Sequence, residues 1–160
     1  NRILTFWDPG RDPFGRGYHV IQSKIAIGSG GFWGHGWLQG TQSQLNFLPE
    51  NHTDFIFSVA GEEFGFIGAS VIIGLYAILI WRSVMIALNA DDDFGALLAT
   101  GVTGMFMFHV LVNIGMTCGI MPVTGVPLPF LSYGVSSLIT NLMLVGLLLN
   151  IRFHQRRLQF

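Results

Sequence analysis

Acidic side chains cluster at the start of a long apolar stretch of the sequence. The run LPENHTDFIFSVAGEEFGFIG, residues 48–68, contains Glu50, His52, Asp54, Glu62 and Glu63. A carboxylate beside a reacting hydroxyl acts as a general base near neutral pH when burial raises its pKa. A carboxylate that stays ionised can instead hold a divalent cation through its oxygen atoms. Both chemistries are open to Asp54 on the residues alone.

The local sequence also offers a structural interpretation of Asp54. Asn51 is a suitable helix N-cap, which places Asp54 at the third helical position, where an acid bonds back to the cap and meets the positive end of the helix dipole. Glu62 and Glu63 follow about two turns later, too far along to act on the same atom as Asp54. Adjacent helical residues point about 100° apart, so at most one of the two glutamates faces the interior. An ionisable group at that depth is a functional candidate or half of a buried ion pair.

The composition indicates a membrane protein. Of the 160 residues, 51% are hydrophobic and 11% are charged, and the formal net charge is -1. That charged share is about half the share in soluble domains, and the scattered Lys and Arg form no basic stripe for nucleic acid. Cys118 is the single cysteine, which excludes a disulfide within this chain and a cysteine-rich zinc site. The chain starts without methionine or a signal-peptide pattern, so we expect a piece of a longer protein.

Three apolar stretches reach the roughly 17 to 25 residues that cross a bilayer. They cover residues 55–81, 94–118 and 130–151. Arginines near the spans lie on one side only, namely Arg82, Arg152, Arg156 and Arg157. Because Lys and Arg resist translocation, the C-terminal tail is predicted to be cytoplasmic and residues 1–54 extracytoplasmic. We therefore predict an all-α, polytopic membrane protein in which a large extracytoplasmic loop precedes three transmembrane helices.

The predicted outer loop has two features of its own. Residues 18–27 show helical apolar spacing and stop at Gly28, which predicts a short amphipathic helix suited to the membrane surface. The following GSGGFWGHGW predicts a flexible loop with aromatic residues for the headgroup region. Its glycines match neither a phosphate-binding loop nor a dinucleotide fingerprint. Asn51-His52-Thr53 formally matches a glycosylation acceptor, but helix capping explains Asn51 better.

The segment between the second and third spans cannot be regular helix. Residues 122–129 contain three prolines, which remove backbone donors and extend the residues before them. Non-helical backbone at membrane depth is tolerated where it is buried in protein or lines a polar cavity. This proline loop is therefore predicted to form a second wall of a site. In the second span His109 and Asn113 share one face, which is typical of hydrogen bonds between helices.

Two stretches of the sequence carry motifs that resemble one family. LPENHTDFIFSVAGEE resembles L-P-E-x-H-[ST]-D-F-I-F-x-x-x-x-E-E, and PFLSYGVS resembles P-[LF]-x-S-Y-G-G-S, both of the SEDS family of shape, elongation, division and sporulation proteins. GTQSQLNFLPE and MPVTGVPLPFLSYG are more similar to its elongation branch than to its division branch. Val135 departs from the family pattern, which has a second glycine after Ser-Tyr-Gly. The resemblance covers essentially the whole chain and implies the C-terminal part of a fold of about ten helices.

The resemblance implies an enzyme of the bacterial inner membrane that polymerises lipid II into peptidoglycan glycan strands beside a class B penicillin-binding protein. The family's essential acid falls on Asp54. Our hypothesis is that Asp54 acts as the base for the acceptor 4-hydroxyl, with inversion at the donor carbon, and a divalent cation at Asp54 is the alternative. The substrate-binding candidates on the motif positions are Glu50, His52, Thr53, Ser132, Tyr133, Gly134 and Ser136. The diphosphate leaves without protonation but needs its charge stabilised. It is expected to meet Lys24, Arg16, a divalent ion or cations in further helices of the longer protein.

Two other functions stay open on the residues. A transporter of lipid-linked precursor would also place acids and a broken loop along a translocation route. A scaffold that activates the penicillin-binding protein would need no catalytic acid. Substitution of Asp54 separates the three, because only the glycosyltransferase loses polymerisation of substrate already on the outer face.

Overall fold

A computed structural model describes residues 16–36 and 54–157 of the chain, and this part is helical without strands. Its four helices are α1 (Arg16–Ser29), α2 (Ile56–Leu88), α3 (Asp93–Thr117) and α4 (Val135–Arg157). Helices α2 and α3, and residues Val135–Phe153 of α4, are long and apolar enough to cross a membrane. The predicted all-α architecture with three spanning helices is confirmed.

Helix α1 packs against α2 and α3 through small and polar residues. Ser23 and Ala26 are fully buried, whereas Ile21 and Ile25 are exposed. The Ser23 hydroxyl donates to the Thr117 carbonyl at 2.7 Å, so the Ser58 hydroxyl, 2.6 Å away, donates to Ser23. The predicted helix is present and ends one residue past Gly28. Of the isoleucines that predicted it, Ile21 and Ile25 are exposed, whereas Ile27 is partly buried against a core cluster of α2 and α3. Small side chains form that face because they let helices approach closely.

Helix α2 is broken at Gly65, whose φ of 66° and ψ of -160° lie outside the helical region. The break frees main-chain groups on both sides, and residues 30–36 pair with them. The bonds are His35 N to Glu62 O and Gly36 N to Glu63 O, both 3.1 Å, Phe66 N to Gly31 O at 2.9 Å, and Ile67 N to Phe32 O at 3.5 Å. The polar groups that a broken helix exposes are thus satisfied within the protein, as a membrane requires.

Glycines make this junction sterically possible. A Cβ on Gly34 would lie 2.1 Å from the Glu63 carbonyl oxygen, and one on Gly65 would lie 2.4 Å from Gly34 N. The sequence predicted an unbroken helix over residues 55–81, which is wrong at Gly65. The predicted flexible loop is also wrong for residues 30–36, because main-chain hydrogen bonds hold them to α2. Hydrophobic patterning could not reveal either feature, because an isolated glycine leaves the apolar run around it unchanged.

The long helices share a core, and their ends differ from the predicted bounds. Ile86, Val102, Phe106 and Leu148 bring α2, α3 and α4 together. Helix α2 continues to Leu88, beyond the predicted residue 81. Helix α4 begins at Val135 rather than at the predicted residue 130. The reason for the later start is local, because Phe130 has a φ of 64° and cannot belong to a right-handed helix.

Candidate active site

Asp54 lies in the turn before α2 and faces the proline loop between α3 and α4. Phe55 is the N-cap residue of α2, so Asp54 precedes the helix and does not occupy the predicted third position. Asn51, the predicted cap, lies outside the described residues. A Cβ built on Gly125 would come within 3.0 Å of Asp54 Oδ2. The half-buried carboxylate therefore lies directly against the backbone of the loop.

Asn113 of α3 connects Asp54 to that loop. Its Nδ2 group donates to the Asp54 main-chain carbonyl at 3.0 Å and to the Val126 carbonyl at 2.7 Å. The side chain is fully buried. Its Oδ1 atom has no hydrogen-bond partner within the described part of the chain. The predicted interhelical role of Asn113 thus takes a specific form, a bond to the main chain on each side of the Asp54–Gly125 contact.

The rest of the proline loop is held by side chains as well. His109 Nδ1 lies 3.3 Å from the Pro127 carbonyl oxygen. The Tyr76 hydroxyl donates to the Pro129 carbonyl, and Leu128 N donates to Ser132 Oγ at 2.7 Å. Prolines leave the loop with few main-chain donors of its own, so these side chains give it a defined shape. Its role as a second wall of a site stays a prediction.

The predicted substrate-binding residues of the second motif lie at the far end of the loop and the start of α4. Ser132 is buried, and its Oγ closes a turn by accepting from Leu128 N. Tyr133 is 79% exposed and therefore accessible to a ligand. Gly134 accepts the main-chain N–H of Leu138 at 2.9 Å. Ser136 accepts the Thr140 hydroxyl through its main-chain carbonyl at 2.9 Å, and the residue is exposed.

Val135, the departure from the motif, is the first residue of α4 and is 70% exposed. A side chain there extends from the surface of the described region, so the helix accommodates it without repacking.

Lys24 is also exposed, and its Nζ atom would lie 2.5 Å from a Cβ built on Gly119. Gly119 follows the C-terminal end of α3, where the helix dipole favours a cation.

The remaining predicted residues divide into two groups. Glu62 is fully buried and Glu63 is half-buried, which confirms that only one of them is directed into the interior. Glu50, His52 and Thr53 lie outside the described residues, as does the side chain of Arg16. Within residues 16–36 and 54–157, no group of three His, Cys, Asp or Glu side chains could hold a metal ion. The cation at Asp54 stays a prediction.

The arrangement brings a carboxylate to a surface whose shape is set by main-chain contacts. An incoming hydroxyl group at the edge of Gly125 would meet the Asp54 carboxylate as a hydrogen-bond acceptor, the geometry that a general base needs. The sequence predicted Asp54 and the loop but not the side chains that connect them. The one available signal was the spacing of His109 and Asn113, which places both on the loop-facing side of α3.

Comparison with known proteins gives a match over nearly the whole chain. The model of the FtsW, RodA and SpoVE cell cycle proteins matches residues 1–157. Peptidoglycan glycosyltransferase MrdB of Escherichia coli strain K12 is 52% identical over 157 residues, which cover 98% of this chain and 42% of MrdB. Peptidoglycan glycosyltransferase RodA of Treponema pallidum is 51% identical over 154 residues, 96% of this chain and 36% of that protein. Stage V sporulation protein E of Bacillus subtilis is 47% identical over 155 residues, 97% of this chain and 42% of that protein.

Solved structures show the same fold. A chain in the structure of a peptidoglycan synthase complex, described as coordinating polymerization and crosslinking, matches with a TM-score of 0.79 and 38% identity over 99% of this chain and 42% of that one. An aspartate-to-alanine mutant of the rod shape determining protein RodA of Thermus thermophilus matches with a TM-score of 0.59 and 33% identity over 90% of this chain and 51% of that one. The chain spans about two fifths of the length of the curated relatives it matches.

Proposed function

This chain belongs to the FtsW, RodA and SpoVE family of cell cycle proteins, and from that premise we propose that the full-length protein is a peptidoglycan glycosyltransferase. In this proposal it polymerises lipid II into glycan strands during cell elongation. The relatives that support it most strongly are MrdB and RodA, each named a peptidoglycan glycosyltransferase and each more than half identical to this chain where they align.

The position of Asp54 is the observation that carries the chemical part of the proposal. Its carboxylate lies against Gly125, at the edge of a loop held by side chains from α2 and α3. In the proposed step Asp54 accepts the proton of the acceptor sugar 4-hydroxyl group. The oxygen atom forms a bond to the donor's anomeric carbon, and the bond from that carbon to the diphosphate breaks with its electron pair on the leaving group. Attack opposite the leaving group inverts the anomeric carbon.

We also propose roles for the other candidate residues. The diphosphate needs positive charge more than a proton, because it is already a stable anion. Lys24 is exposed beside the C-terminal end of α3 and is the cation that we propose for it. Tyr133 and Ser136, both exposed, would contact sugar or peptide, while Ser132 and Gly134 shape the turn that presents them.

Three further candidates precede Asp54 in the first motif. We propose that Glu50, His52 and Thr53 contact the substrate there, directly before the acid in the chain. A divalent cation held by Asp54 is the alternative to its role as a base, because an ionised carboxylate supplies oxygen ligands for such ions. The two roles differ in a measurable way, since only the cation role makes polymerisation depend on added metal.

The arginine distribution supports an orientation for the whole chain. Arg82 and the three arginines after residue 151 would face the cytoplasm, and residues 1–54 would lie outside it. This orientation puts Asp54 at the outer face of the inner membrane, where lipid II presents its sugars for polymerisation. A class B penicillin-binding protein is the proposed partner, supported by the similarity to a chain of a peptidoglycan synthase complex.

The test uses full-length protein, purified lipid II and two matched variants. Asp54→Asn removes the proposed base, whereas Asp91→Asn changes an exposed aspartate in the connection at the opposite end of α2. The proposal predicts that Asp54→Asn loses glycan synthesis and that Asp91→Asn keeps it. A transporter or a scaffold has no polymerase activity of its own, so all three proteins, wild type included, would make no glycan from purified lipid II. That result refutes the proposal, and so does glycan synthesis by Asp54→Asn at the wild-type rate.

A further inference from the structure

One buried amide group holds both sides of the Asp54–Gly125 contact. Asn113 Nδ2 donates to the Asp54 carbonyl at 3.0 Å and to the Val126 carbonyl at 2.7 Å. The two acceptors belong to segments far apart in sequence, the turn before α2 and the proline loop. Val126 directly follows Gly125, the residue that faces the Asp54 carboxylate. The two hydrogens of a single NH2 group therefore fix the two main-chain segments relative to each other.

The surroundings of Asn113 make this connection strong. The side chain is fully buried, where hydrogen bonds gain strength because water does not compete for donor or acceptor. Loss of the amide would remove one hydrogen bond from each of the two main-chain carbonyls, and with it the direct connection between their segments. The orientation of the amide is also fixed, because only the nitrogen can donate to two carbonyl oxygens.

Gly125 explains why the position of the loop matters to the carboxylate. Its φ is +71°, and a Cβ there would come within 3.0 Å of Asp54 Oδ2. The contact is close enough that a shift of the loop changes the space in front of the carboxylate. His109 lies one turn before Asn113 on α3 and contacts the next loop carbonyl, at Pro127. His109 and Asn113, on one face of α3, thus hold two successive carbonyl groups of the loop in place. Of the two, Asn113 also bonds to Asp54.

We propose that Asn113 is a positioning residue for Asp54, acting through the main chain to keep the carboxylate aligned with the edge of the loop at Gly125. The inference rests on the proposed glycosyltransferase function and adds a residue to that site. The Asn113 side chain does not touch the reacting atoms. Its removal should therefore lower the rate of the chemical step and leave the binding of lipid II unchanged. A misplacement of about 1 Å can cost roughly 100-fold in rate.

The experiment compares Asn113→Leu and Asn113→Asp with Asn141→Leu in the full-length protein. Leu has a similar volume without hydrogen bonds, and Asp keeps the shape but turns an acceptor towards two carbonyl oxygens. Asn141 is a matched control, because it is also buried, on α4, and its Nδ2 atom lies 3.4 Å from Ser137 Oγ of its own helix. Lipid II polymerisation gives kcat and KM, and hydrogen exchange follows peptides that cover residues 54–57 and 122–129.

The expected result is a kcat lowered roughly 10- to 100-fold in both Asn113 variants, with KM within about threefold of wild type. Exchange should accelerate in both peptides together, and Asn141→Leu should match wild type in both measurements. A kcat within about twofold of wild type in both Asn113 variants, beside active wild-type protein, overturns the inference and leaves the proposed function intact. If wild-type protein makes no glycan, the proposed function fails, and coupled exchange of the two peptides then decides whether Asn113 fixes Asp54 to the loop.

Discussion

Substitution of Gly65 by alanine should destabilise the protein. Gly65 has a φ of 66° and a ψ of -160°, a region that is essentially restricted to glycine and costs about 1 to 3 kcal/mol for other residues. The added Cβ would also lie 2.4 Å from Gly34 N and 2.8 Å from the Phe32 carbonyl oxygen. Both neighbours are main-chain atoms, so relief requires the loop of residues 30–36 to separate from the break in α2.

Separation of that loop puts four main-chain hydrogen bonds at risk. Each contributes about 0.5 to 1.5 kcal/mol. Loss of two of them, together with the backbone strain, lowers the free energy of unfolding by roughly 2 to 6 kcal/mol. Gly74→Ala is the matched control, since a Cβ at Gly74 meets no heavy atom within 4 Å and the residue lies in the same helix. Alanine there should be neutral or stabilising by about 0.4 to 1 kcal/mol.

The assay is reversible unfolding of the full-length protein in mixed micelles, followed by circular dichroism, with the three proteins measured side by side. Gly65→Ala should unfold at clearly lower denaturant than wild type, and Gly74→Ala at the same denaturant or slightly higher. A difference of less than about 1 kcal/mol between the free energies of unfolding of Gly65→Ala and Gly74→Ala would contradict this prediction. Even the smallest backbone strain expected for alanine at position 65 would then be absent.

Two further substitutions test contacts away from the site. Ser23→Ala removes the hydroxyl that donates to the Thr117 carbonyl and accepts from Ser58, so we expect the free energy of unfolding to fall by about 1 to 3 kcal/mol. Ser29→Ala, at an exposed position of the same helix, is the control and should lower the free energy of unfolding by less than half as much. Asp92→Ala removes the N-cap side chain of α3, which accepts from Gly95 N at 3.0 Å, and should lower the free energy of unfolding by about 1 kcal/mol. Asp91→Ala changes the preceding exposed aspartate and should leave the unfolding midpoint unchanged.

The sequence predicts the family and the number of spanning helices, because these depend on features that it displays directly. Apolar runs of membrane length appear as the spans α2, α3 and α4. The two motifs identify the family, and the family model confirms that identification. The details that the sequence does not reveal are set by main-chain geometry. The break at Gly65 and the turn at Phe130, with φ values of 66° and 64°, interrupt or delay helices without changing hydrophobicity.

The candidate site divides in the same way. Asp54 and the proline loop are predicted from motif and composition, and their close approach at Gly125 appears only in three dimensions. Asn113 is predicted as a polar residue that bonds between helices, but its acceptors are main-chain carbonyls of non-helical segments. Spacing on a helix gives the face of a residue and not the segment that covers that face. The start of α2 was also predicted incorrectly. Capping at Asn51 would place Asp54 inside the helix, whereas α2 begins at Ile56, two residues after Asp54.

The most direct test of the catalytic role of Asp54 is the initial rate of glycan synthesis by Asp54→Asn. The full-length variant, wild type and Asp91→Asn are compared on purified lipid II at equal amounts of folded protein. A general base contributes about 100- to 10,000-fold to a rate, so Asp54→Asn should retain at most about one hundredth of the wild-type rate while Asp91→Asn retains all of it. A rate for Asp54→Asn within about twofold of wild type would show that polymerisation does not use this carboxylate.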